Sequence, residues 1–249
     1  IFNYNEVLVC SDGTFADAGT ITGTREWFLP WKSIRGEDPS KNMAKPQLQV
    51  MLEGMFRKDN FLDILRHFIT FNKSKTQVSK NIAGYHQYHA ANKAIKDTIS
   101  AIKGDGRIGV VWHTQGSGKS LTMAFYASKI AVQPELNNPT LVVLTDRNDL
   151  DDQLFQTFAS TSVLRETPIQ VKSKEELRAE LKKRASGGVI FATIQKFGLD
   201  KEGKVELLSD RKNIIVAADE AHRSQYGFSA RVSKSDGEIK YGLAKYLRD

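Results

Sequence analysis

Residues 108–132 run from a short apolar stretch, Ile108-Gly109-Val110-Val111-Trp112, directly into His113-Thr114-Gln115-Gly116-Ser117-Gly118-Lys119-Ser120 and then into an amphipathic helix. This order is highly restrictive. A strand that turns through glycines straight into a helix calls for a parallel strand to return to, and the helix must then cover the sheet. The loop also carries chemistry. Its glycines let consecutive backbone N–H groups turn toward an anion, and the new helix end adds positive potential. Lys119 is placed to reach β- and γ-phosphates, and Ser120 to ligate Mg²⁺. The usual first glycine of such a loop, six residues before the lysine, is His113 here. That suits the loop if it opens without a positive φ, because Gly116 and Gly118 remain where the backbone approaches phosphate most closely. A chance turn between strand and helix is the competing reading, and both flanks disfavour it.

The remaining sequence continues the alternation. Residues 7–34 read as short strands, with Asp12-Gly13 as a hairpin turn and Gly19 and Gly23 as punctuation. Residues 35–45 hold Gly, Pro and mixed charge without apolar period, as a linker does. After Pro46, the spacing of Leu48, Met51, Leu52 and Met55, and then of Phe61, Leu62, Leu65, Phe68 and Ile69, predicts two short amphipathic helices. Helices are expected over Ile82–Lys103, over Ser120–Val132, and around Leu150, Leu154, Phe155 and Phe158. A fourth helix, with Leu177 and Leu181, opens on a Ser173/Glu176 capping box and is stopped by Gly187. Strands are expected at Ile108–Trp112, Thr140–Thr145, near Ile169 and Val171, at Val189–Thr193 and at Asn213–Ala218. Strands that are apolar throughout and alternate with helices imply a parallel sheet covered on both faces, so the fold class is α/β.

Composition narrows the function classes. With 249 residues, 40% hydrophobic and 13 Phe, the chain can build a sizeable core. No apolar run approaches the ~18 residues of a membrane span, and the first residues lack the features of a signal peptide. A single cysteine, Cys10, excludes an internal disulfide and a multi-cysteine metal site, and points to a reducing, cytoplasmic compartment. The balance of 36 Lys+Arg against 29 Asp+Glu favours a polyanionic partner. The cluster Lys182-Lys183-Arg184 reads as a solvated helix end complementing the helix dipole.

A second chemistry-bearing segment follows the last apolar strand: Asp219-Glu220-Ala221-His222. Carboxylates at the carboxyl end of a parallel strand sit where such sheets bind ligands. Asp219 is the candidate Mg²⁺ holder and Glu220 the candidate base for an attacking water. His86 and His89 have H-x-x-H spacing, but no third ligand stands nearby in sequence, so zinc is not indicated. Two other classes fit the residues alone: a P-loop kinase for small molecules, and a lobe that binds ATP and only transmits shape.

The two motifs together resemble those of helicase-like superfamily 2 ATPases. Residues 113–123, 144–153 (Leu-Thr-Asp-Arg-Asn-Asp-Leu-Asp-Asp-Gln) and 218–226 (Ala-Asp-Glu-Ala-His-Arg-Ser-Gln-Tyr) resemble, more closely still, the signatures of the restriction (motor) subunit of type I restriction-modification enzymes. The resemblance covers essentially the whole chain. It implies a RecA-like P-loop lobe over residues 81–249, preceded by a β-rich tail of an endonuclease domain (1–42) and a helical connector (43–80). It implies ATP and Mg²⁺ as cofactors, with Gly116, Ser117, Gly118, Lys119 and Ser120 at the phosphates and Gln87 of Tyr85-His86-Gln87 at the adenine edge. Catalysis falls to Lys119, Asp219 and Glu220, and Mg²⁺ to Ser120 and Asp219. Thr145, Arg147, Thr193, Gln195 and Lys196 become candidate DNA contacts. The implied partners are double-stranded DNA and the modification and specificity subunits, with no membrane. The implied reaction is ATP hydrolysis driving translocation and ending in DNA cleavage. By the same resemblance the nuclease centre lies upstream of residue 1 and the second motor lobe beyond Asp249. The 249 residues alone are then expected to bind Mg²⁺-ATP weakly and not to cut DNA.

Overall fold

The structure, a computed structural model, describes residues 4–73, 78–145, 148–193, 207–219, 231–232 and 239–240. It divides into two compact units, one of residues 1–135 with 160–165 and one of residues 136–159 with 166–249.

The first unit opens on a three-stranded antiparallel sheet of β1 (Leu8–Ser11), β2 (Ala16–Gly19) and β3 (Leu29–Pro30), in that order. The expected turn joins β1 to β2: the Asp12 carboxylate accepts from the backbone N–H of Thr14 and of Phe15, both at 2.8 Å, and Gly13 takes φ +95°. Two helices follow, α1 (Gln47–Gly54) and α2 (Lys58–His67). The helical spacing fails at Ile69. An antiparallel hairpin, β4 (Ile69–Lys73) with β5 (Val78–Ile82), stands there instead, and the next helix, α3 (Tyr85–Ala101), begins only at Tyr85. Polar hairpin residues hid this from periodicity. Lys80 is nevertheless buried, paired with Glu6, and its carbonyl accepts from the hydroxyl of Thr20 at 2.6 Å.

Aromatic side chains from successive elements form the core of this unit. Trp31 lies 5.5 Å from Tyr88 of α3, Tyr88 lies 4.8 Å from Phe68, and Phe68 lies 5.3 Å from Phe125, between ring centroids. Phe125 belongs to α4 (Lys119–Ile130), the helix that follows the glycine-rich loop. Each of these rings is almost fully buried. The β-rich start, the α2 end, α3 and α4 thus share one core.

Ile108–Trp112, expected as a strand, is not one. It has no regular secondary structure, Gly109 takes φ +137°, and Val110, Val111 and Trp112 are 79%, 51% and 91% exposed. A strand is stabilised by ladder partners and a covered face, and this run has neither within its unit.

The second unit contains a four-stranded parallel sheet in the order β7-β8-β6-β9, from β6 (Thr140–Thr145), β7 (Ile169–Gln170), β8 (Val189–Thr193) and β9 (Ile214–Ala218). Every residue of β6 and β8 is buried. Helix α5 (Asn148–Ser160) covers one face, where Phe155 and Phe158 meet Phe191 edge-on at 5.5 and 5.1 Å. The other face buries Val142, Leu144, Ile190 and Ala192 against Leu177 and Leu181 of α6 (Lys174–Lys183). Two further two-residue strands, β10 (Arg231–Val232) and β11 (Ile239–Lys240), pair antiparallel. No helix among the described residues is long and apolar enough to cross a membrane.

Candidate nucleotide site

The glycine-rich loop is built for its helix to start abruptly. Gly118 is the residue before α4 and sits in the left-handed region at φ +77° and ψ +36°, with no side chain capping the helix. Lys119, Ser120 and Leu121, the first residues of α4, therefore have N–H groups with no intrahelical acceptor; the first helical bond runs from Thr122 to the Gly118 carbonyl at 3.0 Å. No acidic residue stands in the first turn to oppose an anion. Gly116 takes φ +79°, and the Ser117 hydroxyl donates to the Thr114 carbonyl at 2.7 Å, closing the turn. Among the described non-glycine residues only Asn137 and Asn138 take positive φ, so His113 meets the condition set for replacing the first glycine. Gly116 and Gly118 are exposed, and Lys119 and Ser120 are half-exposed. Such an array of outward N–H groups, a lysine and a serine hydroxyl suits a polyphosphate with its Mg²⁺.

The first turn of α3 grips this loop from behind, a feature that no local signal announces. His86 Nε2 lies 3.0 Å from the Ser117 carbonyl oxygen, which can only accept, so the proton is on Nε2. Gln87, 6% exposed, donates through Nε2 to the Gly118 carbonyl at 3.1 Å and accepts at Oε1 from the Gly84 N–H at 2.9 Å. Both ends of the amide expected at the adenine edge are engaged inside the protein. One N–H and one oxygen lone pair of the amide are used in these bonds, and the second N–H and second lone pair are what it has left for a base. His113 packs edge-on against His86 at 5.4 Å, and its Nδ1 is buried without a partner. Burial, then the neighbouring His86 and Lys119 charges, hold the His113 ring below its ordinary 6.5, so it is neutral at pH 7. The alternative use of His86 and His89 as metal ligands gains no support: His89 Nε2 faces the Ser33 carbonyl at 3.3 Å, and no group of three potential ligands occurs among the described residues.

The other candidates belong to the second unit. Asp219 follows β9, half-exposed, with its N–H donating to the Leu144 carbonyl at 2.8 Å as an extension of the parallel ladder. Thr145 and Thr193 end β6 and β8 as directly paired neighbours. At 2% and 4% exposure their hydroxyls are not presented to solvent in this conformation. Glu220, Arg147, Gln195 and Lys196 lie outside the described residues.

The parallel sheet is compatible with what comparison with known proteins finds. The SWI2/SNF2 ATPase family matches over residues 86–249. The HindI endonuclease subunit of a type I restriction enzyme from Haemophilus influenzae is 47% identical, over 100% of this chain and 24% of its own length. The putative MjaIXP endonuclease subunit of Methanocaldococcus jannaschii is 40% identical over 93% of this chain and 23% of its own length. The SauMSSORF170P endonuclease subunit of Staphylococcus aureus is 30% identical over 94% of this chain and 24% of its own length. The chain thus spans about a quarter of the length of these relatives. It belongs to the SWI2/SNF2 ATPase family and is homologous to endonuclease subunits of type I restriction enzymes.

Proposed function

We propose that residues 81–249 form the first ATPase lobe of a type I restriction motor subunit, joined through a connector (43–80) to the tail of its nuclease domain (1–42). The observation that carries the proposal is the uncapped, left-handed glycine at the head of α4, followed at once by Lys119 and Ser120. Gly116 to Ser120 cradle the triphosphate, and the Lys119 ammonium neutralises its β- and γ-oxygens. The Ser120 hydroxyl and the Asp219 carboxylate are the groups that would hold Mg²⁺, whose charge would offset that of the phosphate oxygens. Glu220 orients the attacking water and takes its proton. In the intact protein, hydrolysis drives movement along double-stranded DNA, with Thr145, Arg147, Thr193, Gln195 and Lys196 on the segments that face the strand; the two threonines must first become exposed. Modification and specificity subunits complete the complex.

Two variants of the full-length protein test this reading. Lys119→Ala should weaken Mg²⁺-ATP binding tenfold or more, as the loss of a charge-assisted contact worth about 1.5 to 3 kcal/mol requires. Glu220→Gln should bind Mg²⁺-ATP normally and turn over at least about a hundredfold more slowly, because an amide cannot accept the proton. Unchanged affinity in the first variant, or unchanged turnover in the second, removes the corresponding assignment.

A further inference from the structure

The peptide unit is planar and trans, so a carbonyl and the N–H of the next residue point in opposite directions. Holding the Ser117 carbonyl therefore aims the Gly118 N–H the other way, and holding the Gly118 carbonyl aims the Lys119 N–H. Both carbonyls are held by consecutive residues of one helix turn: Ser117 by His86 at 3.0 Å and Gly118 by Gln87 at 3.1 Å. The Gly118 carbonyl has further donors in the Thr122 N–H at 3.0 Å and the Thr122 hydroxyl at 3.2 Å, so its direction is supported by α4 itself. The Ser117 carbonyl belongs to the turn before the helix, and its support comes from His86. That ring is in turn braced by His113, edge-on at 5.4 Å, at the position where a glycine is usual.

We propose that His86, braced by His113 and assisted by Gln87, is a positioning residue that presets the direction of the Gly118 and Lys119 amides for polyphosphate. It acts on the loop and not on the base. The inference rests on the reading of residues 113–120 as a phosphate loop. An amide array that is already aimed loses no orientational freedom when the anion arrives, so the gain appears in affinity for any polyphosphate. A residue that reads adenine affects ATP and leaves GTP and a bare polyphosphate untouched.

The test uses the full-length protein and three probes with Mg²⁺: ATP, GTP and inorganic tripolyphosphate. His86→Phe keeps a ring against His113 and removes the donor, and it should weaken all three by a similar factor of about five- to tenfold, the effect of one lost hydrogen bond. His86→Gln places a neutral donor near the same point and should restore all three to within about twofold, which a mere packing role does not predict. Gln87→Glu keeps the acceptor for the Gly84 N–H but sets an oxygen against the Gly118 carbonyl, and it should also weaken the three alike. It provides an independent arm if His86→Phe does not fold. A loss confined to ATP in either variant, no loss with tripolyphosphate, or no rescue by His86→Gln overturns the proposal. Lys119→Ala separates the two levels: if it leaves tripolyphosphate binding intact, the phosphate-loop reading itself falls.

Discussion

At Gly118 two independent constraints meet in one residue. Its φ of +77° is one that side chains with a Cβ adopt only with strain, and a Cβ built there lies 2.6 Å from Gln87 Nε2. Gly118→Ala must therefore either flatten the left-handed turn or push the Gln87 amide off the Gly118 carbonyl. Nucleotide affinity should fall about tenfold, since left-handed strain of roughly 1 to 2 kcal/mol is enough for that change. Calorimetric titration with Mg²⁺-ATP checks it, and an unchanged dissociation constant would mean that the bound loop does not use this conformation. Glu37 is a second residue whose surroundings dictate its behaviour. Burial works to raise its carboxyl, but hydrogen bonds from Asn42 and from the backbone of Ile34 and Arg35 outweigh it and hold the group at about 2 instead of 4.5. A depressed folded value means stability present above pH 4.5 and lost as the pH falls toward 2. Glu37→Gln should flatten the acid limb of the unfolding curve in that window; an unaltered limb would assign it to other carboxylates.

Helix α6 shows how an element is held at both ends. At its start the Ser173 hydroxyl accepts from the Glu176 N–H at 3.1 Å, as the capping box predicts, while the Glu176 carboxylate reaches back to the Lys172 N–H at 2.6 Å, one residue before the expected partner. At its end the Arg211 guanidinium, from the segment before β9, donates to the carbonyls of Arg184 at 2.9 Å and Leu181 at 3.4 Å. The same group donates to the Thr140 hydroxyl at 2.8 Å and to the Asn213 side-chain oxygen Oδ1 at 3.1 Å. A cation there complements the negative end of the helix and ties it to the starts of β6 and β9. Arg211→Ala should destabilise this unit by about 2 kcal/mol, the scale of a charged donor removed from half-buried acceptors. Chemical denaturation followed by circular dichroism reads the loss, and a change below about 0.5 kcal/mol would show that water replaces the guanidinium without penalty.

For the stability of the molecule as a whole, a spread-out contribution comes from three half-buried histidines, all in the first unit. His67, His89 and His113 are each held below 6.5, in every case first of all by burial. A ring kept neutral in the fold but free to charge when unfolded contributes stability that is present above 6.5 and lost as the pH falls through the lower folded value. The melting temperature should therefore be flat near pH 7 to 8 and decline on acidification below about 6.5. A rise between pH 7 and 5.5 would show that these rings gain partners for the proton on folding.

What the sequence determined alone was whatever rests on short-range chemistry. The Asp12-Gly13 turn, the Ser173 cap, the runs Thr140–Thr145 and Val189–Thr193, and the loop from Gly116 to Ser120 all stand where their own residues place them. In each case glycine freedom, a capping hydroxyl or an unbroken apolar run makes the choice within a few residues. Tertiary structure decided the rest. The antiparallel strands β4 and β5 carry Thr70, Asn72, Ser79, Lys80 and Asn81, so nothing in their spacing separates them from a loop. Contacts from far along the chain hold them: Glu6 pairs with Lys80, and the Thr20 hydroxyl donates to the Lys80 carbonyl from 60 residues away. Conversely, Ile108–Trp112 is apolar enough for a strand, yet propensity supplies no ladder partner. The order β7-β8-β6-β9 and the grip of His86 and Gln87 on the loop likewise depend on groups far apart in the chain. A hydrogen bond between distant residues leaves no periodicity behind, and only the folded chain brings its two ends together.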